Sequence, residues 1–256
     1  METLIYKLSE YDCKIFPIVH TDVHAFTREI SYFLNYFSGI ITVADVIIKK
    51  LIINTGQDIS KKAHLITPVL DKNKEIGKQQ KSKIKRSRKI GYFGRIVGIK
   101  GVDFLVNAFA RLITEESINY ELHIYGPIAN KYIETSIKKI IYSLKEVKIF
   151  LHNRVVPSDE RICIFKELDA LIYTTAMDGL PYTFIEAMEL GTPVISTNVG
   201  GIEYLIKDNN NGYILNFNGL YVDNLYSDNP YNELVNILNV NNEPYYKEFK
   251  RVLMKF

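Results

Sequence analysis

A regular alternation of short apolar runs with segments of helical periodicity begins at Lys89 and constrains the fold of this chain more than any other feature. Such alternation predicts parallel strands joined by crossover helices, because parallel neighbours need a long connection between them. The pattern therefore predicts an α/β fold with one complete doubly wound, Rossmann-like parallel sheet. Six strands are expected, at Lys89–Phe93, Tyr120–Tyr125, Val147–Leu151, Ala170–Tyr173, Pro193–Ser196 and Gly212–Leu215. The helices are expected at Val102–Ile113, Tyr132–Leu144, Asp159–Glu167, Pro181–Leu190 and Ile202–Ile206.

Residues 1–85 show the same alternation with only about three strands, whereas a doubly wound lobe normally has five or six. This N-terminal piece is therefore either a small accessory domain or the back half of a second lobe. Its strands are expected at Lys14–Val19, Gly39–Val43 and His64–Val69, with helices at Thr27–Tyr36 and Ala44–Ile53. The predicted organisation is a partial lobe over residues 1–85, a complete lobe over 86–240 and a terminal helix within 241–256.

A basic segment, Lys78–Lys89, separates the two pieces and lacks any apolar period. It predicts a solvated linker; a patch for nucleic acid or for an anionic membrane is the alternative. The linker is favoured because no stacking aromatics are interleaved, and the net charge of +3 is too small to indicate nucleic acid. No nucleic-acid partner is expected.

Cysteine usage and hydropathy bear on the compartment. Cys13 and Cys163 are the only cysteines and neither belongs to a C-x-x-C pair, so no disulfide framework or thiolate metal site is expected. The longest apolar stretch, near Ile40–Ile48, contains Asp45 and is too short to span a bilayer. No signal peptide is recognised at the start of the chain. We expect a soluble cytoplasmic protein, with a peripheral position at the membrane left open.

The loop after the first strand of the complete lobe carries a glycine-rich segment with two cations. Gly94 and Arg95 follow the strand, and Lys100 lies five positions after Arg95, just before a helix. Glycines let the backbone approach a ligand closely, and two cations at a helix start can flank a diphosphate. The spacing fits neither the dinucleotide fingerprint nor a Walker A loop. A glycine-rich turn with two surface cations is the alternative.

A second candidate site follows the strand Ala170–Tyr173. The loop residues Asp178 and Gly179 precede Leu180 and Pro181 at a predicted helix start, where backbone amides and the helix dipole favour an anion. Glu186 lies one to two turns inside that helix, where its carboxylate can accept two hydroxyl groups, as a ribose diol offers. A solvated helix glutamate and a capping aspartate are the alternatives.

Taken in order, these motifs resemble the family 4 glycosyltransferases of the GT-B fold over about residues 88–216. The resemblance rests on Gly94-Arg95, Lys100-Gly101, Gly126-Pro127, Asp178-Gly179-Leu180-Pro181, Glu186-Ala187-Met188, Gly191-Thr192-Pro193, Asn198-Val199-Gly200-Gly201 and Asn210-Asn211-Gly212. It implies that Arg95 and Lys100 bind the donor diphosphate and that the two acids of an E-x7-E motif bind the donor sugar and the ribose. The first acid here is Asp178 rather than glutamate, which puts the sugar specificity in doubt. The turn His152–Val156 looks like the family's base-binding turn.

The N-terminal piece resembles the family more loosely. Pro17–Asp22 looks like the strand and loop that carry a histidine in the family's N-terminal lobe, which implies that His20 lies near the reacting sugar. Local hydrogen bonding is the alternative for His20 and His24, whose spacing also permits a zinc pair without an evident third ligand. The family implies that the terminal helix, Pro244–Phe256, packs back across the N-terminal lobe.

Together, the resemblance implies transfer of a sugar from a nucleotide sugar, such as a UDP- or GDP-sugar, with retention of configuration and without a metal or other cofactor. The acceptor (saccharide, lipid-linked or protein) is not identified, and self-association or a second polypeptide is expected because the N-terminal lobe is short. A non-catalytic nucleotide-sugar-binding subunit and another GT-B-like enzyme remain alternatives. The implied catalytic residues are His20, Arg95, Lys100 and Asp178, and the implied donor-binding residues are Gly94, Arg95, Lys100, Gly126, Val155, Asp178, Gly179, Leu180, Pro181 and Glu186.

Overall fold

The computed structural model describes residues 5, 7–8, 10–11, 13–20, 24–66, 88–129, 131–146, 148–176, 178–206, 210–215 and 242–255. Two parallel sheets make up the fold, one on either side of the gap at residues 67–87. All of the basic segment before Arg88 lies outside the described residues, so its interpretation as a linker stays a prediction.

The larger sheet has six parallel strands in the order β6-β5-β4-β7-β8-β9. The chain passes outward from β4 to β6 and then returns to β7 beside β4, so the strand order reverses between β4 and β7. Ligands of open α/β sheets bind at this reversal, outside the carboxyl ends of the strands. The strands are β4 (Lys89–Phe93), β5 (Glu121–Tyr125), β6 (Ile149–His152), β7 (Ala170–Tyr173), β8 (Val194–Thr197) and β9 (Gly212–Leu215).

Helices connect these strands, as the alternation predicts, and the α/β fold with a complete doubly wound sheet is confirmed. All side chains of β7 and β8 are buried, as expected of strands with both faces covered. In chain order the connecting helices are α3 (Val102–Glu116), α4 (Lys131–Ser143), α5 (Ser158–Glu167), α6 (Tyr182–Glu189) and α7 (Ile202–Leu205).

The smaller sheet has three parallel strands in the order β1-β2-β3, and α1 and α2 pack against one of its faces. The first strand is shorter than predicted because Pro17 has no N–H to extend the ladder, although its carbonyl accepts a hydrogen bond from Ile41 N–H at 2.9 Å. The elements are β1 (Ile18–Val19), α1 (His24–Ser31), β2 (Ile40–Thr42), α2 (Asp45–Thr55) and β3 (Ala63–Leu65).

The start of α6 lies between the two sheets. Leu180 and Ile185 are buried in the hydrophobic cluster of the N-terminal piece, although the chain around them belongs to the larger lobe. A side-chain hydrogen bond between Tyr204 and Asp45 adds a second link. The loop after β7 is therefore held against the N-terminal sheet.

The terminal helix, α8 (Asn242–Leu253), packs on the larger lobe, and the expectation that it crosses back to the N-terminal lobe is corrected. Phe249 and Val252 are fully buried in the larger lobe's core, where α8 contacts α3 and β9. Arg111 of α3 stacks on the ring of Tyr246 at 3.6 Å and pairs with Glu243 at 3.2 Å. The apolar face of α8 therefore packs against α3.

No helix in the described part of the chain has the length and hydropathy that a membrane span requires.

Candidate functional site

A cavity of about 270 Å³ opens at the carboxyl ends of β4 and β5 and beside the start of α6. Three of the residues that line it belong to the predicted donor-binding set: Gly94, Arg95 and Gly126. The predicted base-binding residue, Val155, also lines it and is 74% exposed. Arg154, Arg161 and Thr183 complete the polar part of the lining.

The loops after β4 and β5 are interlocked by backbone hydrogen bonds. Gly94 N–H donates to the carbonyl of Tyr125 at 3.0 Å, and Gly126 N–H donates to the carbonyl of His152 at 3.2 Å. Ile96 N–H donates to the carbonyl of Pro127 at 2.9 Å. These bonds fix the backbone on both sides of Arg95, whose side chain is exposed to solvent.

The structure brings Lys100 and Asp178 together. The Lys100 ammonium lies 2.6 Å from the Asp178 carboxylate, and both side chains are about four-fifths buried. Two hydrogen bonds hold their loops side by side: Ala176 N–H donates to the carbonyl of Ile99 at 2.9 Å, and the Thr174 hydroxyl donates to that of Gly101 at 2.7 Å. The predicted phosphate-binding Lys100 and sugar-binding Asp178 are therefore paired where the loops after β4 and β7 meet, beside the described lining of the cavity and not within it.

Glu186 forms an ion pair with Arg161, which sequence analysis missed. An Arg161 guanidinium nitrogen donates to Oε1 of Glu186 at 2.7 Å, and each side chain is about one-quarter exposed. Oε2 of Glu186 is buried and has no hydrogen-bond partner in the described structure. Arg161 lies on α5, the helix that follows the predicted base-binding turn, and no motif distinguishes it there from an ordinary surface cation.

A buried tyrosine joins β7 to the first turn of α6. The Tyr173 hydroxyl donates to the carbonyl of Phe93 and lies 2.9 Å from the Thr183 hydroxyl. Burial raises the pKa of Tyr173 above its ordinary value, and it likewise raises that of Tyr92, so both phenols stay protonated at neutral pH. The Tyr173 contact fixes Thr183 next to the end of β4.

His20 of the N-terminal piece lies beside the start of α6. It follows β1, is exposed, and its ring centroid lies 6.5 Å from that of Tyr182, the first residue of α6. Tyr182 directly follows the predicted donor-binding residues Asp178, Gly179, Leu180 and Pro181, and a position of His20 near the reacting sugar stays a prediction. The side chain of His24 lies outside the described residues.

A row of stacked rings extends from Tyr125 of the cavity lining along β5 and β6. Tyr125 stacks on His152 with ring centroids 4.2 Å apart, and His152 lies 3.2 Å from His123, measured between ring nitrogens. His123 in turn contacts Glu121 at 3.1 Å. Burial, followed by the nearby His123 and Arg154, lowers the pKa of His152, so a neutral ring is favoured at the first residue of the predicted base-binding turn.

The chain is similar to known glycosyltransferases in sequence. The family described as "Glycosyl transferases group 1" matches residues 73–226. The capsular polysaccharide biosynthesis glycosyltransferase CapM of Staphylococcus aureus is 28% identical over 128 residues, 49% of this chain and 32% of that protein. The uncharacterized glycosyltransferase MJ1059 of Methanocaldococcus jannaschii is 30% identical over 177 residues, 65% of this chain and 41% of that protein. The chain thus spans less than half the length of these curated relatives.

Solved structures share the fold. Anabaena Alr3699/HepE, solved in complex with UDP and glucose, superposes with a TM-score of 0.67 at 15% identity, covering 96% of this chain and 73% of that one. A TarM variant of S. aureus, in a complex that includes UDP, superposes with a TM-score of 0.66 at 17% identity, covering 93% and 50%. These similarities establish a GT-B fold, and the family match covers more than half of the sequence. The chain accordingly belongs to the group 1 glycosyl transferases.

Proposed function

We propose that this chain binds a nucleotide sugar at the carboxyl ends of β4 and β7 and takes part in transferring the sugar with retention of configuration. The observation that carries the proposal is the placement of charged residues from two loops and a helix where the strand order reverses. Arg95 lines the cavity, Lys100 of the same loop pairs with Asp178 of the loop after β7, and Glu186 of α6 pairs with Arg161 in the cavity lining. Isolated surface charges would not be expected to pair in this way.

The diphosphate would lie between the loop after β4 and the start of α6. Arg95 and Lys100 supply positive charge, and the first turn of α6 supplies backbone amides and the positive end of a helix dipole. These groups would stabilise the negative charge that develops on the departing nucleoside diphosphate. In this proposal cations and amides do that work, and no metal or other cofactor is required.

The two acids would divide the remaining recognition between them. Asp178, next to Lys100, would hold hydroxyl groups of the donor sugar, and Glu186 would accept a hydroxyl of the ribose. The turn around Val155 would contact the base, and His20 would lie beside the reacting sugar on the acceptor side. Gly94, Gly126, Gly179, Leu180 and Pro181 would contribute backbone that approaches the donor closely.

UDP-sugars are the first donors to test, because HepE and TarM were solved with UDP, and GDP-sugars are the second. The acceptor is left open among a saccharide, a lipid-linked molecule and a protein. The proposed site of action is the cytoplasm, at the membrane surface if the acceptor is lipid-linked.

A donor-binding subunit without turnover of its own is the second candidate. The three-stranded N-terminal sheet favours it, because acceptor and donor must be held in attack geometry and the acceptor wall comes from that side. Activity would then need a second copy of the chain or another polypeptide.

Calorimetric titration with UDP, GDP and their sugar conjugates tests the shared part of both candidates. We expect one nucleotide series to bind at one site per chain, and an assay of donor hydrolysis and transfer then separates an enzyme from a subunit. No binding by any nucleotide at millimolar concentration would contradict the proposal.

A further inference from the structure

The ion pair between Arg161 and Glu186 leaves the acid with two unequal oxygens. Oε1 accepts a hydrogen bond from Arg161 at 2.7 Å, whereas Oε2 is buried without a partner in the described part of the chain. A buried carboxylate oxygen without a donor is unfavourable, so this oxygen is expected to meet a donor in the working state of the protein. Arg161, the partner of Glu186, lines the cavity, so a ligand bound there would lie next to this ion pair.

A second ion pair at the same cavity differs in how its carboxylate is hydrogen-bonded. Arg154 contacts both carboxylate oxygens of Glu160 with two guanidinium nitrogens, and both side chains are more than 40% exposed. That carboxylate has its oxygens occupied and solvent nearby. Glu186 has one oxygen that accepts a hydrogen bond and another that is shielded from solvent and has no donor in the described structure. Of the two acids, only Glu186 therefore has an oxygen left to accept a hydrogen bond from a ligand.

We propose that Arg161 is a positioning residue for the ribose: it holds Oε1 of Glu186 so that Oε2 remains the acceptor for a ribose hydroxyl. The inference rests on the proposed function, since it needs a nucleotide in the cavity. A glutamate side chain has three rotatable bonds, and fixing one oxygen to a guanidinium removes most of that freedom before the ligand arrives. Arg161 therefore makes the site selective for ribonucleotides.

The position of Glu186 on α6 supports this role. Glu186 lies three residues after Thr183, so both are on the same face of the helix, and Thr183 lines the cavity. Thr183 is itself fixed by its 2.9 Å contact with the Tyr173 hydroxyl. The acid is thus held from two sides, by the register of its helix and by Arg161.

The test compares UDP with 2′,3′-dideoxy-UDP by calorimetry on the whole chain. We expect the wild type to bind UDP at least about tenfold more tightly, as one charge-assisted hydrogen bond predicts. In Arg161→Leu the ratio should fall to roughly two, mainly through weaker UDP binding. Arg161→Lys should restore part of the ratio. Arg251→Leu, which breaks an exposed arginine–glutamate pair on α8 outside the cavity lining, is the matched control and should keep the wild-type value. If Arg161→Leu does not unfold cooperatively, Arg161→Gln is measured instead, with a smaller loss expected in the same direction.

The outcomes separate this inference from the proposed function. Equal losses for both nucleotides in the Arg161 variants, or an unchanged ratio, would show that the ion pair is only structural and would overturn the inference alone. Binding of UDP by the wild type without any ribose preference would also overturn it. A wild type that binds no nucleotide would overturn the proposed function and the inference together.

Discussion

The charges of the crevice form two pairs at the scale of single residues, Lys100 with Asp178 and Arg161 with Glu186. Each acid has a basic partner within 2.7 Å, although the two pairs lie on different loops and helices. Pairing of partly buried charges limits the cost of removing them from water. In the proposed function, donor binding would exchange the Lys100–Asp178 contact for contacts with phosphate and sugar.

Arg95→Ala should weaken binding of UDP by about 1.5–3 kcal/mol, the usual loss of a charge-assisted hydrogen bond. Binding of uridine should change little, because the nucleoside lacks the phosphates. Calorimetry with both ligands measures the difference. Lys139→Ala, which removes an exposed cation from α4, is the matched control for net charge. Equal losses for UDP and uridine would contradict the assignment of Arg95 to the phosphates.

Asp178→Ala should reduce the affinity for the intact UDP-sugar by about 1.5–3 kcal/mol, because the hydroxyl groups of the sugar lose a charged acceptor. UDP alone should bind at least as well as to the wild type, since a negative charge next to Lys100 has been removed. Titration with UDP and the UDP-sugar side by side gives both values. Parallel losses for the two ligands would place Asp178 at the phosphates or in the fold instead.

These pairs also show how far the sequence predicts the site. Lys100 and Asp178 could be predicted because they stand in a recognisable order next to strand ends, and the topology brings strand ends together. Arg161 could not be predicted, because its role depends on the distance between α5 and α6, which no local pattern encodes.

At the scale of elements, the prediction succeeds for the strands of the larger lobe, whose ends adjoin glycine-rich or polar loops. The bounds of β4, β7 and β9 match those expected, and β8 is displaced by one residue. The prediction fails where contacts between distant segments determine the length or the packing of an element. β1 keeps only two residues after Pro17, and α8 packs on α3 because Arg111 and the buried Phe249 fit there. Neither contact can be derived from the periodicity of one segment.

The crossing of two loops at Gly200 makes the crevice sensitive to one added methyl group. Gly200 and Gly56 have nearly the same left-handed backbone, with φ of 58° and 64°. A Cβ on Gly200 would lie 2.0 Å from the carbonyl oxygen of Asp178, whereas one on Gly56 would meet nothing within 4 Å. An alanine would therefore meet the same unfavourable backbone conformation at both positions, but it would clash with a neighbouring loop only at Gly200.

Gly200→Ala should lower the free energy of unfolding by about 1–3 kcal/mol more than Gly56→Ala does, because only the former forces the Asp178 loop to move. Gly56→Ala serves as the control for the shared left-handed conformation. Urea unfolding followed by circular dichroism gives both values. Similar losses in the two variants would show that the loop at Asp178 adapts at no cost.

At the scale of the whole molecule, the two sheets differ in how their faces are covered. In the N-terminal sheet, Val19 and Ile40 are fully buried under α1 and α2. On the opposite face, Phe16, Ile18 and Ile66 are 44%, 54% and 53% exposed. Parallel sheets are normally covered on both faces, and among the strands that the structure describes β1 and β3 are the outer ones of this sheet. The exposed face is therefore an unusual feature for a monomer in water.

We expect the purified chain to self-associate through this face, because stacking two copies would bury the apolar rows of both. Ile18 is the residue to change: it lies on β1 beside Ile41 of the central strand β2, and its 54% exposed side chain does not enter the core. Ile18→Asp should shift the mass in solution, measured by sedimentation at several concentrations, toward that of one chain. Ile53 is an equally apolar residue on α2 that is 43% exposed, and Ile53→Asp should leave the assembly unchanged.

A wild type that stays monomeric across micromolar concentrations, with ordinary sugar transfer, would show that the three-stranded sheet suffices as the acceptor-side lobe. Loss of assembly in both variants would instead locate the contact on the α2 side.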